Sequence, residues 1–449
     1  MTAAHDFAAR RARLLAQMAP GGVAVIATAP EVARNADSDY PYRHDSHFYY
    51  LTGFMEPDSV AVLVAARGDT PALTVLFCRE KNAEREIWDG HRYGPAAARE
   101  AFGFDAAFPI GDIDAEMTRL LADAPALYYA LGSSAKLDEQ VKRWLDGVRG
   151  LSRSGVTAPG AAYDLLPLLD EMRLFKDAAE QTTMQRAATI SAQAHARAMR
   201  ASRPGMHEYE IEAELLYEFR RNGAQAPAYT TIVAAGANAC VLHYVANNAQ
   251  TQDGDLVLID AGCELDGYAS DITRTYPVNG RFSAPQRALY ELVLAAQAAA
   301  LRAIVPGRPY QDVHDAAVRV LAQGMLDLGL LDGAKYPGGV DEVIATKAYA
   351  QFYMHGTGHW LGMDVHDVGR YRDVHAPGKP SRPLQAGMVL TVEPGIYVRP
   401  ADGVPQQYWN IGIRIEDDVL VTSDGYVVLS AQAPKTVAEI EQLMQSSAT

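Results

Sequence analysis

Carboxylates set inside apolar, strand-like runs are the feature that most limits how this chain can fold. Asp260 closes the run DLVLID (255–260), and Asp271 stands in YASDITRTYPV (268–278), across a turn region spanning Gly262 to Gly267. Glu393 lies in LTVEPGIYV (390–398) and Glu416 in GIRIEDDVLVT (412–422). A carboxylate buried among such side chains is expensive unless it is paired or holds a metal. Several of them converging would repel one another, and a divalent cation removes that conflict. His359, in HGTGHW (355–360), adds an imidazole in the same part of the chain. Taken singly, each has a plainer reading. Asp260 could cap its strand, Glu393 before Pro394-Gly395 could be a turn residue, and His359 could be a hydrogen-bonded core histidine. Asp417-Asp418 reads as a solvated face.

The 449 residues, 49% of them hydrophobic, are too many for one ordinary core, so two domains are expected. A net charge of -15 repels phosphate backbones and argues against a nucleic-acid partner. Part of that acidic surplus is available to cations. Cys78, Cys240 and Cys263 are far apart with no CxxC pair, which speaks against a disulfide framework or a thiolate zinc site. No apolar run reaches the length of about 18 residues that a membrane helix needs. Residues 1–20 set Arg10, Arg11 and Arg13 in a helical pattern with Phe7, Leu14, Leu15 and Met18, without a signal peptide's apolar core. A cytoplasmic location is therefore expected.

Strands over 22–28, 60–65, 72–78 and 127–130 alternate with helices over 113–123 and 134–148, as in an α/β layer. After the break at Pro159-Gly160 a helix is expected over 161–172. The domain boundary is placed there, giving an N-terminal α/β domain over 1–172 and a second domain over 173–449. The second begins with a long alanine-rich helix from Asp177 to Ser202 and another over 208–222. Strands over 255–260 and 268–278, helices over 284–304 and 310–329, a loop rich in glycine and histidine, and strands over 387–398 and 412–422 follow. Helices then strands, twice, imply α+β with an antiparallel sheet and hint at an internal duplication.

Five phrases in order carry a family resemblance: His243-Tyr244, LVLIDAGCELDGYASDITRTYPV (256–278), FYMHGTGHWLGMDVHDVG (352–369), LTVEPGIYV and GIRIEDDVLVT. Together they resemble the metallopeptidase branch of the pita-bread fold. At the other end ADSDYPYRHDSHFYYLTGFMEPDSVAVL (36–63), EIWDGHRYG (86–94) and EMRLFK (171–176) are similar to the aminopeptidase P family. Methionine aminopeptidase lacks such a leading domain. The resemblance implies a smaller α/β N-terminal domain before a catalytic pita-bread domain with a curved antiparallel sheet. HGTGHW departs from the family wording, in which bulkier residues fill the middle, and this bears on the local pocket shape.

By this resemblance Asp260, Asp271, His359, Glu393 and Glu416 hold two divalent metal ions, with Asp271 and Glu416 bridging them. An oxygen-rich donor set suits hard ions, and the family's usual ion is Mn(II), with cobalt or zinc as substitutes. The implied reaction is hydrolysis of the first peptide bond of peptides with proline at position two, by water that the two ions activate. Glu393 would act as base, and His243 and His366 would steady the intermediate or carry protons. Proline nitrogen carries no N–H, so recognition must rest on shape, and His355 and Tyr397 are the candidates for that slot. Arg414 would pair with a ligand carboxylate, with Asp37 a further partner. Arg153 and Arg370 would hold the peptide's downstream carboxylate. Trp88 would reach a substrate site in a neighbouring subunit of a homo-oligomer, a dimer or tetramer. For Trp88 and Arg153 plain packing is the equal alternative. Two rivals remain: an Xaa-Pro dipeptidase (prolidase) with the same metal centre, and an inactive pita-bread protein used for binding.

Overall fold

The structure is a computed structural model and describes residues 5–446, so positions 1–4 and 447–449 of the two expected domains lie outside it. The described chain forms two compact units, one ending at Arg173 and the other beginning at Leu174.

In the first unit β1 (Val23–Ala27), β2 (Val60–Val64), β3 (Leu73–Cys78), β4 (Ala106–Pro109), β5 (Ala126–Tyr129) and β6 (Ala161–Asp164) build one sheet in the order β4-β3-β2-β1-β5-β6. The runs VAVIA and VAVLV are buried almost throughout, as central strands covered on both faces should be. Helices Ile113–Leu121 and Ala135–Gly150 pack Met117, Leu121, Val141 and Trp144 onto the sheet. The helix expected over 161–172 is corrected. Ala161–Asp164 extends the sheet, parallel to Ala126–Tyr129, because the edge strand offers its amides a ladder. The helix starts only at Leu166, whose amide donates to Asp164 Oδ1 at 3.1 Å.

The second unit is α+β, as expected. Helix Ala178–Ala201 starts at an Asp177–Glu180 capping box, and helix Glu208–Arg221 lies beside it. Helices Ala284–Ala303 and Gln311–Asp327 form the second pair. After the first pair come β7 (Ile232–Ala235), β8 (Leu256–Asp260) and β9 (Thr273–Pro277), joined antiparallel in that order. After the second pair come β10 (Val389–Val392), β11 (Gly395–Val398), β12 (Ile411–Arg414), β13 (Asp417–Val421) and β14 (Tyr426–Val428). Here β10-β13-β14 form one antiparallel sheet and β11-β12 another. Leu289, Val293, Ala317, Leu321, Val257 and Leu390 belong to one continuous core.

Three long strands expected from the sequence are each broken in the middle. The span 268–278 yields Tyr268–Ala269 and β9, with Asp271 in the gap. The span 387–398 breaks at Glu393-Pro394, and 412–422 breaks at Ile415-Glu416. Pro394 has no N–H for a ladder. At the first break the backbones cross so closely that a Cβ on Gly262 would stand 1.7 Å from the Ser270 carbonyl oxygen, so only glycine fits. A second correction concerns Asp417 and Asp418, which are 0% and 1% exposed. Asp417 accepts from Arg274 Nη2 at 2.7 Å and Lys435 Nζ at 2.6 Å, and both oxygens of Asp418 accept the Asp271 amide. Cys78, Cys240 and Cys263 are buried and free. Among the described residues no helix is long and apolar enough to cross a membrane.

Candidate metal centre

The broken strands put their carboxylates at corresponding places. Asp260 ends β8 and Asp271 precedes β9, its antiparallel partner, in which Thr273 faces Asp260. Glu393 follows β10 and Glu416 precedes β13, where Val392 faces Asp417. Each pair of strands therefore offers two carboxylates from one end. The two sheets meet there, since the Glu416 amide donates to Thr273 O at 3.0 Å. His359 arrives on a loop laid along β10. The Thr391 amide donates to His359 O at 2.9 Å, and the Glu393 amide to Thr357 O at 2.8 Å.

Ligand atoms of Asp271, His359 and Glu416 all lie within 4.8 Å of one another. His359 Nε2 is 3.4 Å from Asp271 Oδ2 and 3.6 Å from Glu393 Oε1. Its Nδ1 is 3.0 Å from Trp360 O, which assigns the proton of the neutral ring to Nδ1 and leaves Nε2 facing the carboxylates, the tautomer a metal ligand needs. Asp260 is drawn in by its neighbours: Tyr229 Oη is 2.6 Å from both Asp260 Oδ1 and Asp271 Oδ1, and Arg414 Nη2 is 2.6 Å from Asp260 Oδ2. Thr273 Oγ1 donates to Glu416 Oε2 at 2.7 Å.

The electrostatics are those of crowded anions. Burial, then repulsion from Asp271, Glu393 and Asp260, drives Glu416 well above the carboxylate range. Burial also raises Asp260 against the pull of Arg414, and pushes Glu393 up to about 7. Burial opposes charge on His359, but its bond to Asp271 and the charges of Asp271 and Glu393 prevail and raise it to about 9. Asp271 is raised by burial, yet His359 outweighs that and holds it below its ordinary value. A cluster that must take up protons to relieve its own repulsion is one a divalent cation can discharge instead. Four carboxylates and one imidazole form a donor set suited to hard ions, so the residues fit such a group.

The other expected residues divide between the units. The ring of His366 lies beside that of His359, tilted by 35° with centroids 4.0 Å apart, and burial followed by the His359 charge lowers its pKa. His355 Nδ1 is 3.8 Å from Glu393 Oε2, and its Nε2 is 2.9 Å from Tyr397 Oη. Burial, then Arg414, lowers His355 to about 3, so it is a neutral ring. Tyr397 Oη also accepts from Arg414 Nη1 at 2.9 Å. His243 is exposed and is among the groups that lower His355 and His366. Arg370 is exposed four residues beyond His366. Asp37, Trp88 and Arg153 belong to the first unit. Asp37 sits in the turn between Ala33–Asn35 and Ser38–Asp39, Trp88 is 80% exposed on helix Ala83–Asp89, and Arg153 is exposed in the turn Ser152–Ser154.

Sequence reasoning missed Tyr229, Thr273, Thr391 and Asp418. Period two could have found two of them, because residues two apart on a strand share a face. Thr273 follows Asp271 by two and reaches Glu416, and Thr391 precedes Glu393 by two and bonds the His359 amide at 3.1 Å. Tyr229 lies in a stretch without any motif, and nothing local marks it.

Residues 182–423 match the model of metallopeptidase family M24, and residues 7–128 that of the aminopeptidase P N-terminal domain. The chain is 48% identical to Xaa-Pro aminopeptidase of Escherichia coli over 440 residues, 98% of this chain and 97% of that one. It is 44% identical to the Haemophilus influenzae protein of the same name over the same shares. Among solved structures, Pseudomonas aeruginosa aminopeptidase PepP matches with a TM-score of 0.94 at 51% identity, over 98% of each chain. A variant of E. coli aminopeptidase P in complex with substrate matches with a TM-score of 0.94 at 47% identity, again over 98% of each.

Proposed function

The chain belongs to metallopeptidase family M24, and from that premise we propose that it is a metallo-aminopeptidase that hydrolyses the N-terminal Xaa-Pro bond of peptides and releases the first residue. The observation that carries this reading is the convergence of Asp271, His359 and Glu416 within 4.8 Å, with Asp260 and Glu393 beside them. In this reading those five residues hold two divalent ions, Mn(II) by preference, and the catalytic domain begins at residue 173, next to the compact unit that starts at Leu174.

When bound, the ions supply Lewis acidity to the scissile carbonyl and bring the attacking water towards neutral pKa. Glu393 takes the water's proton as general base. His243 and His366 donate to the developing oxyanion and return a proton to the proline nitrogen. The neutral ring of His355 and the phenol of Tyr397 form the wall that receives the proline ring, and Arg414 keeps Tyr397 and Asp260 in register. Arg370 receives the downstream carboxylate. Trp88 serves a neighbouring copy, and its exposure next to Ile87 at 79% supports a homo-oligomer. Three buried free thiols favour a reducing, cytoplasmic setting.

A panel of Xaa-Pro-Yaa tripeptides, Xaa-Pro dipeptides and Xaa-Ala-Yaa controls, assayed with added manganese, tests the reading. Turnover of the proline tripeptides above the dipeptides, with the controls intact, is expected. Turnover of dipeptides alone would make the protein a prolidase. No turnover of either by metal-loaded protein would remove the enzyme reading.

A further inference from the structure

The loop from His355 to His359 carries an imidazole beside Tyr397 at one end and a candidate metal ligand at the other, with only Gly356, Thr357 and Gly358 between. Two glycines give such a loop little stiffness of its own. Thr357 is 3% exposed, and its hydroxyl lies 2.6 Å from Tyr353 Oη and 2.9 Å from His314 Nδ1. A hydroxyl donates once and accepts twice. The three groups form one hydrogen-bonded chain, and it closes in either sense, from Tyr353 through Thr357 to His314 or the reverse, according to the His314 tautomer.

This chain ties three parts of the site together. His314 stands in the first turns of helix Gln311–Asp327 and is no part of the loop. The ring of Tyr353 meets that of His355 edge-on, with centroids 4.9 Å apart at 74°. Thr357 O accepts the Glu393 amide. On the side of His314 a second anchor holds the loop, the Tyr310 hydroxyl donating to Gly358 O. A cavity of about 270 Å³ lies there, lined by Tyr310, His314, Gly356, Thr357 and Gly358. Polar anchors, rather than close packing, stop the loop from sagging into that space. Gly358 leaves no room for correction from the other side, since a Cβ there would stand 2.0 Å from Thr391 O.

We propose that Thr357, gripped by His314 and Tyr353, is a positioning residue that sets where His355 and His359 stand relative to Glu393. The inference rests on reading the cluster as a peptidase metal centre, and its test reports on the two separately. Thr357→Val keeps the shape and removes the hydroxyl, and it leaves the buried Tyr353 hydroxyl and His314 Nδ1 unpaired. Thr357→Ser keeps the hydroxyl.

The measurements are manganese dissociation by chelator competition, and kcat and KM on an Xaa-Pro-Yaa tripeptide. For Thr357→Val a manganese dissociation constant raised about tenfold and a kcat lowered about tenfold are expected, with KM little changed. Thr357→Ser should stay close to wild type in both. Equal losses in the two variants would assign the effect to packing of the methyl group and overturn the proposal. Wild-type values in Thr357→Val would overturn it too. If Thr357→Val does not fold, His314→Leu, which removes the imidazole partner and leaves Thr357 in place, decides by the same two outcomes. Weakened metal binding in a protein whose wild type cleaves no peptide would sustain the positioning role and reject the peptidase reading.

Discussion

Arg414 Nη2 lies 2.6 Å from Asp260 Oδ2, while the same guanidinium donates to Tyr397 from Nη1 and to Thr273 from Nε at 3.1 Å. One buried cation thus grips a candidate metal ligand, the phenol beside His355 and the hydroxyl that reaches Glu416. Replacing it by Met leaves Asp260 buried and unpaired. Metal-free Arg414→Met should lose about 3–5 kcal/mol in urea denaturation. Arg414→Lys should recover only part of this, since an ammonium cannot span the three acceptors in one plane. Unchanged stability in both would mean that the pair does not form.

The carboxylates and the flanking histidine should separate in their effects. Asp271→Ala and Glu393→Ala are expected to abolish peptide turnover and weaken manganese binding. His366→Ala should lower kcat and keep the metal. Metal loss in His366→Ala, followed by elemental analysis, would turn that residue into a ligand.

Tyr229 joins Asp260 to Asp271 through one phenol oxygen. Tyr229→Phe removes that tie and nothing else of similar size. Removing an outer partner of a metal ligand commonly costs 10- to 100-fold in affinity, so a fall of about tenfold or more in manganese affinity is expected by calorimetry. An affinity equal to wild type would show that the phenol is idle.

His195 is fully buried, and its Nε2 lies 2.9 Å from the carbonyl of Ala261, next to Asp260. Burial lowers its pKa from 6.5 to about 4. As pH falls through about 6.5 the unfolded chain takes up a proton that the folded protein refuses until about 4. Its contribution to stability is therefore complete above that window and is lost as pH falls through it, by about 1.4 kcal/mol per pH unit. His195→Gln, which can still donate to Ala261, should show a shallower loss between those limits in urea melts. Identical slopes would contradict the shift.

The long helices and most core strands were legible because they are periodic, capped or apolar runs, whereas β4 and β7 were not expected and β6 was read as helix. The breaks were not legible either. Nothing in YASDITRTYPV says that the ladder stops at Asp271, because the stop is imposed by Gly262 crossing Ser270. Asp417 looks like a surface residue until Arg274, far off in sequence, is found folded against it. Tyr229 acquires its place only through the turn that returns Asp271 to Asp260. The ligand candidates drew attention as charges in apolar runs, each with a plainer reading when taken singly, and the match of five phrases to a family pattern is what assigned them.

The most direct test of the metal-centre account is anomalous diffraction at the manganese edge from crystals of the manganese-loaded protein. Two peaks are expected among Asp260, Asp271, His359, Glu393 and Glu416, with Asp271 and Glu416 touching both. Active protein with its manganese elsewhere, or with none at these five side chains, would contradict it.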